Sequence, residues 1–315
     1  LSLPKLGYIK LPKYSLTEEE CKSLELKKDS TAAQILISLI RKGFAQKLKN
    51  GLIPKDKEKI YQDRINLEFE VYKKFRFIDY VLLIYSIISF CKKNDILNSP
   101  SRGSCANSLI LNIIGITSID PIRHNLIFER FISGARTEIK EIDGELYLSS
   151  VSLPDIDLDS DTMFKPLINK FLQERFPNKT CKIINLLTLG SKVTIKECGK
   201  IIADKSEEEM MRVSSMIESL FGTNDTLEVT HEKSEDFKEW CDQNPRVYEI
   251  ARKIEGLLKC KSIHASAIFI GNEDLDETLP TELTSDKEVA ASYDMYMCSL
   301  LGIKVDNLGL KNLGA

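Results

Sequence analysis

The sequence predicts an α+β fold that is interrupted by a helical insertion, and three observations support this prediction. Apolar residues recur at helical spacing through residues 31–93. Strand-like patterns occur in both halves of the chain. The stretch 190–261 is instead charged and helical, without a convincing strand. We predict an irregular N-terminal arm over residues 1–30. The α+β body has two parts, residues 31–189 and residues 263–315. A helical subdomain over residues 190–262 lies between these two parts in the chain.

Individual elements follow from the positions of apolar and turn-forming residues. Helices are predicted where apolar residues lie three and four positions apart, at residues 31–48, 57–75, 79–93, 104–114 and 164–172. The dipeptide Asp143-Gly144 is typical of a tight turn, so residues 138–149 are predicted to form a β-hairpin. Alternating or short apolar patterns predict strands at residues 154–159, 181–187, 264–270 and 303–308.

Composition and charge narrow the class of protein. The chain has 315 residues, 43% of them hydrophobic, which is enough for more than one domain. A net charge of −3 excludes a globally basic nucleic-acid binder, although a local basic patch remains compatible with it. The most apolar run, residues 80–91, is shorter than the roughly 20 residues of a membrane span, and no signal peptide is recognisable at the start. No membrane partner is therefore expected.

The eight cysteines do not form a metal-binding pattern. They contain no CxxC pair, so a zinc ribbon is disfavoured. Cys260 and His264 have a C-x3-H spacing, but no second pair accompanies them. Buried, reduced thiols in a cytosolic protein are the simpler interpretation.

A run of alternating carboxylates, Pro154-Asp155-Ile156-Asp157-Leu158-Asp159, is a candidate metal site. In a strand, residues two apart share a face, so the three aspartates would converge while Ile156 and Leu158 point into the core. Adjacent like charges are costly unless a cation neutralises them, and oxygen ligands suit Mg2+. The alternative is the polar face of an edge strand, and the segment alone does not decide between them.

Two further segments contain residues that could bind phosphate or metal, but each segment is weak evidence when taken alone. Ser101-Arg102-Gly103-Ser104 precedes a predicted helix, where glycine, backbone N–H groups and arginine could hold phosphate. Serine is also simply a good helix cap. Lys304 and Asp306 share a face of the last strand, where a carboxylate could hold metal and the lysine could meet a triphosphate. An exposed ion pair is the simpler interpretation of that strand.

In combination, these motifs resemble the catalytic α subunit of bacterial replicative DNA polymerase III, the C family. The resemblance covers roughly residues 30–313. It rests on motifs that occur in a fixed order: Ser101-Arg102-Gly103-Ser104, Gly115-Ile116-Thr117-Ser118-Ile119-Asp120-Pro121, Leu126-Ile127-Phe128-Glu129-Arg130-Phe131, Pro154 to Asp159, Leu187-Thr188-Leu189-Gly190, His264-Ala265-Ser266-Ala267 and Lys304-Val305-Asp306-Asn307-Leu308-Gly309-Leu310.

The resemblance implies a palm related to the DNA polymerase β nucleotidyltransferases, with a helical thumb inserted into it over residues 190–262. Asp155, Asp157 and Asp306 would be the catalytic ligands of two Mg2+ ions, for which Mn2+ can substitute. The incoming triphosphate would be held by Arg102, Gly103, Ser104, Arg130 and Lys304. Primer-template DNA and dNTP would be the substrates, and further polymerase segments or subunits, such as fingers and a sliding clamp, the partners. The expected compartment is the cytoplasm of a bacterial or phage-infected cell.

The chain also departs from the family pattern. Ser101, Ser266-Ala267 and Asn307 replace Gly, Gly-Gly and Phe, and the hairpin at 138–149 resembles an insertion. Because the sequence has only three histidines, we expect it not to include the N-terminal phosphoesterase-like domain of the family. We therefore expect a palm-plus-thumb fragment or one piece of a split polymerase, at most weakly active alone.

Several alternatives stay open. The centre could instead serve a template-independent nucleotidyltransferase, or the chain could be a non-catalytic fragment that binds DNA or a partner. Asp159 could be a metal ligand or a bystander. Lysines near the start of the predicted thumb could contact DNA phosphates or be solvated charges, and these are Lys192, Lys196 and Lys200.

Overall fold

A computed structural model describes residues 6–99, 102–133, 138–149, 153–220 and 222–310. Helices and strands are mixed, which confirms the predicted α+β class. The chain separates into two compact units, residues 1–184 with 263–315, and residues 185–262. Among the described residues, no helix combines the length and the apolar character that crossing a membrane requires. Ser101, which was predicted to begin the phosphate-type turn, lies outside the described residues.

The helices are α1 Glu18–Leu24, α2 Ala32–Lys49, α3 Glu58–Lys74, α4 Ile78–Lys93, α5 Leu109–Ile113, α6 Lys165–Arg175, α7 Ser191–Ala203, α8 Glu207–Ser215, α9 Leu227–Lys233, α10 Glu235–Gln243, α11 Pro245–Ile254, α12 Leu275–Thr278 and α13 Met295–Ser299. The strands are β1 Tyr8–Ile9, β2 Ile139–Ile142, β3 Glu145–Ser149, β4 Leu158–Asp161, β5 Thr180–Thr188, β6 Ser219–Leu220, β7 Thr223–Asn224, β8 Leu258–Ile270, β9 Thr281–Leu283, β10 Val289–Asp294 and β11 Ile303–Leu310. Short 3-10 helices include Gly103–Asn107 and Phe128–Arg130.

Helices α2, α3 and α4 lie within one residue of the bounds predicted from periodicity. Their agreement has a simple cause, because each helix buries a continuous apolar stripe in the same large core. In α4 the stripe extends almost all round the helix, and Val81, Leu82 and Ile84 are essentially inaccessible to solvent. Strands β4 and β11 contribute residues such as Leu158 and Val305 to this core.

The helix predicted at 104–114 is wrong as a single element. A 3-10 helix, Gly103–Asn107, is followed by the short helix α5, and Ser108 between them has extended backbone angles. Ser108 accepts a hydrogen bond from the N–H of Leu111 at 3.3 Å, which caps α5. The phosphate-type turn therefore does not open a long helix.

The irregular N-terminal arm that was predicted for residues 1–30 contains regular structure. Thr17 and Glu20 form a reciprocal capping box that begins α1. Strand β1 pairs with β3, and the order of the resulting sheet is β1-β3-β2. Strands β2 and β3 form the predicted hairpin, and Asp143 and Gly144 both have positive φ at its turn.

The main sheet has the strand order β4-β11-β8-β5-β10-β9. Strand β11 runs parallel to β4 and antiparallel to β8, and β10 runs parallel to β5 and antiparallel to β9. The strand predicted at 154–159 begins only at Leu158, so the segment with Asp155 and Asp157 precedes the strand. The chain enters the second unit along β5 and returns along β8.

The second unit is mainly helical, as the composition predicts. Helices α7 to α11 enclose a separate core that includes Ile195, Met210, Phe237, Trp240 and Val247. The expectation that this region has no strand is wrong, because β6 and β7 form a small hairpin and β8 begins at Leu258. Two-residue strands leave too little periodic pattern to be recognised in a sequence. Assignment of the two units as palm and thumb stays a prediction.

Candidate metal and nucleotide site

The parallel pairing of β4 with β11 brings two distant acidic segments together. Asn307 lies opposite Leu158 in this ladder. Asp306 and Asp157 directly precede these two residues, so parallel register places them side by side. Carboxylate oxygens of Asp155, Asp157 and Asp306 all lie within 4.8 Å of one another. We call these three residues the acidic cluster.

Lys304 partly neutralises the acidic cluster. Its Nζ lies 2.6 Å from Asp306 Oδ2 and 3.8 Å from Asp155 Oδ2. Burial lowers the pKa of Lys304, but the hydrogen bond to Asp306 and the charges of the other carboxylates raise it more, so its pKa lies above the ordinary value. Burial raises the pKa of Asp155, and Asp157 and Asp306 raise it further against the opposing effect of Lys304. One lysine therefore does not compensate three carboxylates.

An unsatisfied oxygen indicates that the acidic cluster is incomplete. Asp306 Oδ1 is buried and accepts no hydrogen bond from the described residues. A buried acceptor without a partner is costly, and a bound cation would supply one. Carboxylate oxygens are the ligands that Mg2+ prefers, usually as one or two carboxylates with waters and substrate phosphates. The residues of the cluster therefore fit the divalent metal that the sequence predicts.

Asp159 lies outside the acidic cluster and contacts Arg102 instead. Its side chain is 5% exposed, and its Oδ1 lies 3.3 Å from Arg102 Nε. The same guanidinium extends to Asp157, with Nη2 3.4 Å from Oδ1. The prediction that the three aspartates lie on one strand is thus wrong for Asp155 and Asp157, which precede β4. Asp159 does lie in β4, but it is not part of the acidic cluster.

The backbone between Asp155 and Asp157 is held by contacts with the large core. Ile156 and Leu158 are buried, as the alternating pattern predicts. The N–H of Ile156 donates to the Tyr80 hydroxyl at 3.3 Å. Tyr80 lies on α4, within the large core. This contact limits how far the acidic segment can shift relative to the helices.

The glycine of the phosphate-type turn passes close to the acidic cluster. Gly103 has φ +72°, a conformation that favours glycine, and a Cβ at this position would lie 3.7 Å from Asp157 Oδ2. Ser104 follows in the 3-10 helix and is partly buried. A 3-10 helix of five residues offers little helix dipole. A role of this turn in binding phosphate is supported instead by two observations: Gly103 lies close to Asp157, and Arg102 precedes it.

Arg130 is exposed at the end of a 3-10 helix that packs against the helix Gly103–Asn107. Ion pairs of the described residues connect Arg102 and Lys304, but not Arg130, to the carboxylates. The structure therefore gathers most of the predicted site residues and leaves Arg130 on an adjoining segment.

Sequence reasoning missed three residues that support this site. Tyr80 was part of an apolar run and gave no signal. Glu68 did give one, because it lies between Ile65 and Tyr72 on the apolar face of α3, where a carboxylate needs hydrogen-bond partners. One of its partners is Arg64, one turn earlier on the same helix, with Nε 2.7 Å from Glu68 Oε1.

The lysines proposed as DNA contacts of the second unit have partners within that unit. Lys196 and Lys200 both form ion pairs with Glu207, at 2.7 and 2.9 Å. Lys192 donates to the Ser219 hydroxyl at 2.9 Å. These contacts favour the interpretation as ordinary surface charges.

Comparison with known proteins agrees with the motif order. The family described as "Bacterial DNA polymerase III alpha NTPase domain" matches residues 34–309. The DNA polymerase III subunit alpha of Aquifex aeolicus is 31% identical in an alignment of 313 positions that covers 90% of this chain and 25% of that protein. The Bacillus subtilis subunit is 30% identical over 258 residues, 80% of this chain and 22% of that protein.

Similarity to the same subunit of Staphylococcus epidermidis is of the same order, 30% over 261 residues, covering 81% of this chain and 23% of that protein. The chain thus spans about a quarter of the length of the curated relatives that it matches. The family match covers most of the chain and includes every segment of the acidic cluster. The chain belongs to the bacterial DNA polymerase III alpha family, within the region described as its NTPase domain.

Proposed function

We propose that this chain carries the nucleotidyl-transfer centre of a replicative DNA polymerase and acts in template-directed DNA synthesis. In this proposal residues 31–189 and 263–315 form a palm like that of the polymerase β nucleotidyltransferases, and residues 190–262 form the thumb. The observation that carries the proposal is the convergence of Asp155, Asp157 and Asp306 from two separate chain segments. The family membership supports the same reaction class.

In the proposed reaction, the three carboxylates hold two Mg2+ ions, for which Mn2+ can substitute. Bound there, the ions would lower the pKa of the primer 3′-hydroxyl and stabilise charge on the leaving pyrophosphate. Tyr80 holds the backbone of the acidic segment in place through the Ile156 N–H. A fixed backbone keeps the ligands in position without reorganisation during the reaction.

The basic residues have a separate task, which is to bind the triphosphate of the incoming dNTP. Arg102 and Lys304 lie against the carboxylates, yet their side chains keep 42% and 30% of their surface exposed. Each could therefore contact the acidic cluster on one side and phosphate oxygens on the other. Gly103 presents no side chain beside Asp157, which would leave room for a phosphate, and Ser104 and Arg130 would extend the polar and basic lining. Primer-template DNA is the proposed partner, together with further polymerase segments or subunits.

The test is incorporation of a labelled dNTP by this chain with Mn2+ or Mg2+, on a primer-template, a blunt duplex and a single strand. We expect incorporation on the primer-template only, and a loss of about a thousandfold or more in Asp157→Asn, which removes one of three carboxylates. Incorporation on all three substrates indicates a template-independent nucleotidyltransferase. Equal rates for the chain and the variant contradict the proposed centre.

A second measurement locates the ions directly. A crystal structure with Mn2+ and a dNTP should show metal density between Asp155, Asp157 and Asp306. Metal bound elsewhere, with the acidic cluster empty, would favour the alternative in which the chain only binds DNA or a partner.

A further inference from the structure

We propose that Arg64 and Glu68 of helix α3 are positioning residues that hold the triphosphate-binding segments in place. These segments are residues 102–107 and residues 126–130. The inference rests on the proposed function, because it assigns the two residues to the nucleotide side of that site. Neither residue belongs to a motif used above, and neither contacts the acidic cluster.

Glu68 is a buried carboxylate with all of its hydrogen-bonding capacity used. Its side chain is 0% exposed. Oε1 accepts from Arg64 Nε at 2.7 Å and from the Leu109 N–H at 2.9 Å. Oε2 accepts from the Ser108 hydroxyl at 2.7 Å and from the Ile110 N–H at 3.0 Å. Glu68 therefore fixes the start of α5, where the chain leaves the 3-10 helix Gly103–Asn107.

Arg64 connects the two triphosphate-binding segments to each other. While its Nε is bound to Glu68, its Nη2 donates to the carbonyl of Asn107 at 3.0 Å and to that of Leu126 at 3.2 Å. Asn107 ends the 3-10 helix, and Leu126 lies four residues before Arg130. A single guanidinium thus joins the ends of the segments that contain Arg102 and Arg130.

The connection continues toward the phosphate-type turn. The Asn107 side chain donates from Nδ2 to the carbonyl of Ser104 at 2.7 Å. Cys105 Sγ contacts the Arg102 carbonyl at 3.0 Å. The guanidinium carbon of Arg64 also lies 5.6 Å from the ring centroid of Phe128, a buried residue of the second segment. Hydrogen bonds therefore run from α3 to the backbone of the residues that we assign to the triphosphate.

A buried ion pair is in itself weak evidence for a contribution to stability, since apolar residues of similar size often stabilise a fold as well or better. Orientation is the property that apolar residues could not supply here. The planar guanidinium serves a carboxylate and two carbonyls at once, in fixed directions. Lysine keeps the charge but lacks this geometry, so Arg64→Lys separates orientation from charge.

The test compares the chain with Arg64→Lys, with Glu68→Gln and with two control variants at exposed positions, Arg41→Lys and Glu70→Gln. The first measurement is amide hydrogen exchange without ligand. In Arg64→Lys we expect exchange at least about tenfold faster in residues 103–107 and 126–131, with unchanged exchange in α2 and in the controls. Because Arg64→Lys retains a charge for Glu68, it tests the inference even if Glu68→Gln fails to fold.

The second measurement is binding of dATP with Mg2+, and binding of Mn2+ alone. We expect Arg64→Lys to weaken dATP binding about tenfold while Mn2+ affinity stays within about twofold, since the metal ligands lie on other segments. Unchanged exchange in the two segments overturns the inference, whatever the chain binds. Faster exchange with unchanged dATP affinity also overturns it, because the segments held by Arg64 would then not serve the nucleotide.

Failure of the proposed function gives a different result. Without a metal and nucleotide site, the unaltered chain would bind neither dATP nor Mn2+, whereas a template-independent nucleotidyltransferase would bind both and incorporate dNTP on all three substrates. In each case hydrogen exchange would still report whether Arg64 holds the two segments. The two failures are therefore distinguishable.

Discussion

The first unit contains two carboxylate centres that are built in opposite ways. Glu68 is fully buried, and four donors satisfy its two oxygens. The acidic cluster collects three carboxylates around one lysine and the edge of one arginine, and Asp306 Oδ1 has no partner among the described residues. The oxygens of Glu68 are satisfied within the chain, whereas the acidic cluster keeps a buried oxygen without a hydrogen bond from the described residues. A buried oxygen without a hydrogen bond, such as Asp306 Oδ1, needs an explanation, and a bound cation would supply one.

Glu68 and Asp155 both have a pKa above the ordinary value, with burial as the largest cause, but their other causes differ. Burial raises the pKa of Glu68 by more than its four hydrogen bonds lower it, so the pKa lies above the ordinary value. Burial also raises the pKa of Asp155, but there the neighbouring carboxylates add to the effect of burial. At Glu68 the hydrogen-bond donors favour the charged carboxylate and offset part of the effect of burial. At Asp155 the neighbouring carboxylates disfavour the charged form, while Lys304 and Arg102 favour it.

The largest expected effect comes from breaking the Glu68 centre. Glu68→Gln should lower the free energy of unfolding of the first unit by about 3–5 kcal/mol, because Arg64 would keep a largely buried charge without its partner. Hydrogen exchange of α3 to α5 in increasing urea measures this loss. Trp240, the single tryptophan, lies in the second unit, so its fluorescence should report an unchanged unit.

Glu70→Gln is the matched control, since Glu70 lies on the same helix and is exposed. Its effect should stay within about 0.5 kcal/mol. Equal losses in the two variants would mean that α3 tolerates no loss of charge anywhere, and the distinction drawn for Glu68 would not hold.

The proposed metal site predicts that Mg2+ stabilises the first unit. Mg2+ at a hundredfold excess over its dissociation constant should stabilise the first unit by about 2.7 kcal/mol, because the ion binds only the assembled cluster. Asp306→Asn should remove most of this gain, and Asp286→Asn, at an exposed position, should retain it. Thermal unfolding with Mg2+ and with a chelator measures the difference. Equal stabilisation of Asp306→Asn and Asp286→Asn would show that the ion binds elsewhere.

Much of the α+β body could be predicted because its elements bury simple periodic patterns. Helices α2 to α4 and the hairpin with Asp143-Gly144 depend on local spacing and turn chemistry, and both are visible in a sequence. Convergence of Asp157 and Asp306 could not be derived from spacing. It depends on the β4–β11 register, a long-range property, and the family resemblance supplied it.

Two elements were missed, for different reasons. The 104–114 helix breaks at Ser108 because Glu68, some 40 residues earlier in the chain, accepts hydrogen bonds from the N–H groups that follow. A periodic apolar stripe does not reveal such a distant partner. Helix α1 depends on the Thr17–Glu20 capping box, a local signal that periodicity alone overlooks.

A third carboxylate, Glu20, tests the comparison at a partly exposed position. Its partners are the Tyr14 hydroxyl at 2.6 Å, the Thr17 N–H at 2.7 Å and Arg175 at 3.1 Å. Burial raises the pKa of Glu20, but these hydrogen bonds and the arginine lower it more, so its pKa in the folded chain lies below the ordinary value. We expect Glu20→Gln to cost about 1 kcal/mol at pH 7.

The sign of the pH dependence follows from this lowered pKa. The stabilising contribution of Glu20 is fully present above the pKa of the unfolded chain, about 4.3, and is lost as the pH falls through the lower folded-state value. The stability difference between the chain and Glu20→Gln should therefore vanish in acid. Glu18→Gln, in the same helical turn and exposed, should show little difference at any pH. A difference that persists unchanged below the folded-state pKa would contradict the assigned charge.

The smallest effect, with the opposite sign, is expected in the acidic cluster without metal. Asp155→Asn should raise the free energy of unfolding in a chelator, on the order of 0.5 kcal/mol, because the side chain is 45% exposed and solvent screens much of the repulsion. Asp286→Asn provides the baseline for loss of one charge, and thermal unfolding in chelator measures both. With saturating Mg2+ the order should reverse, since Asp155→Asn then lacks a ligand that the unaltered chain uses. A loss of stability in chelator would instead mean that Lys304 and Asp155 form a structural ion pair, and the cluster would then resemble the Glu68 centre rather than differ from it.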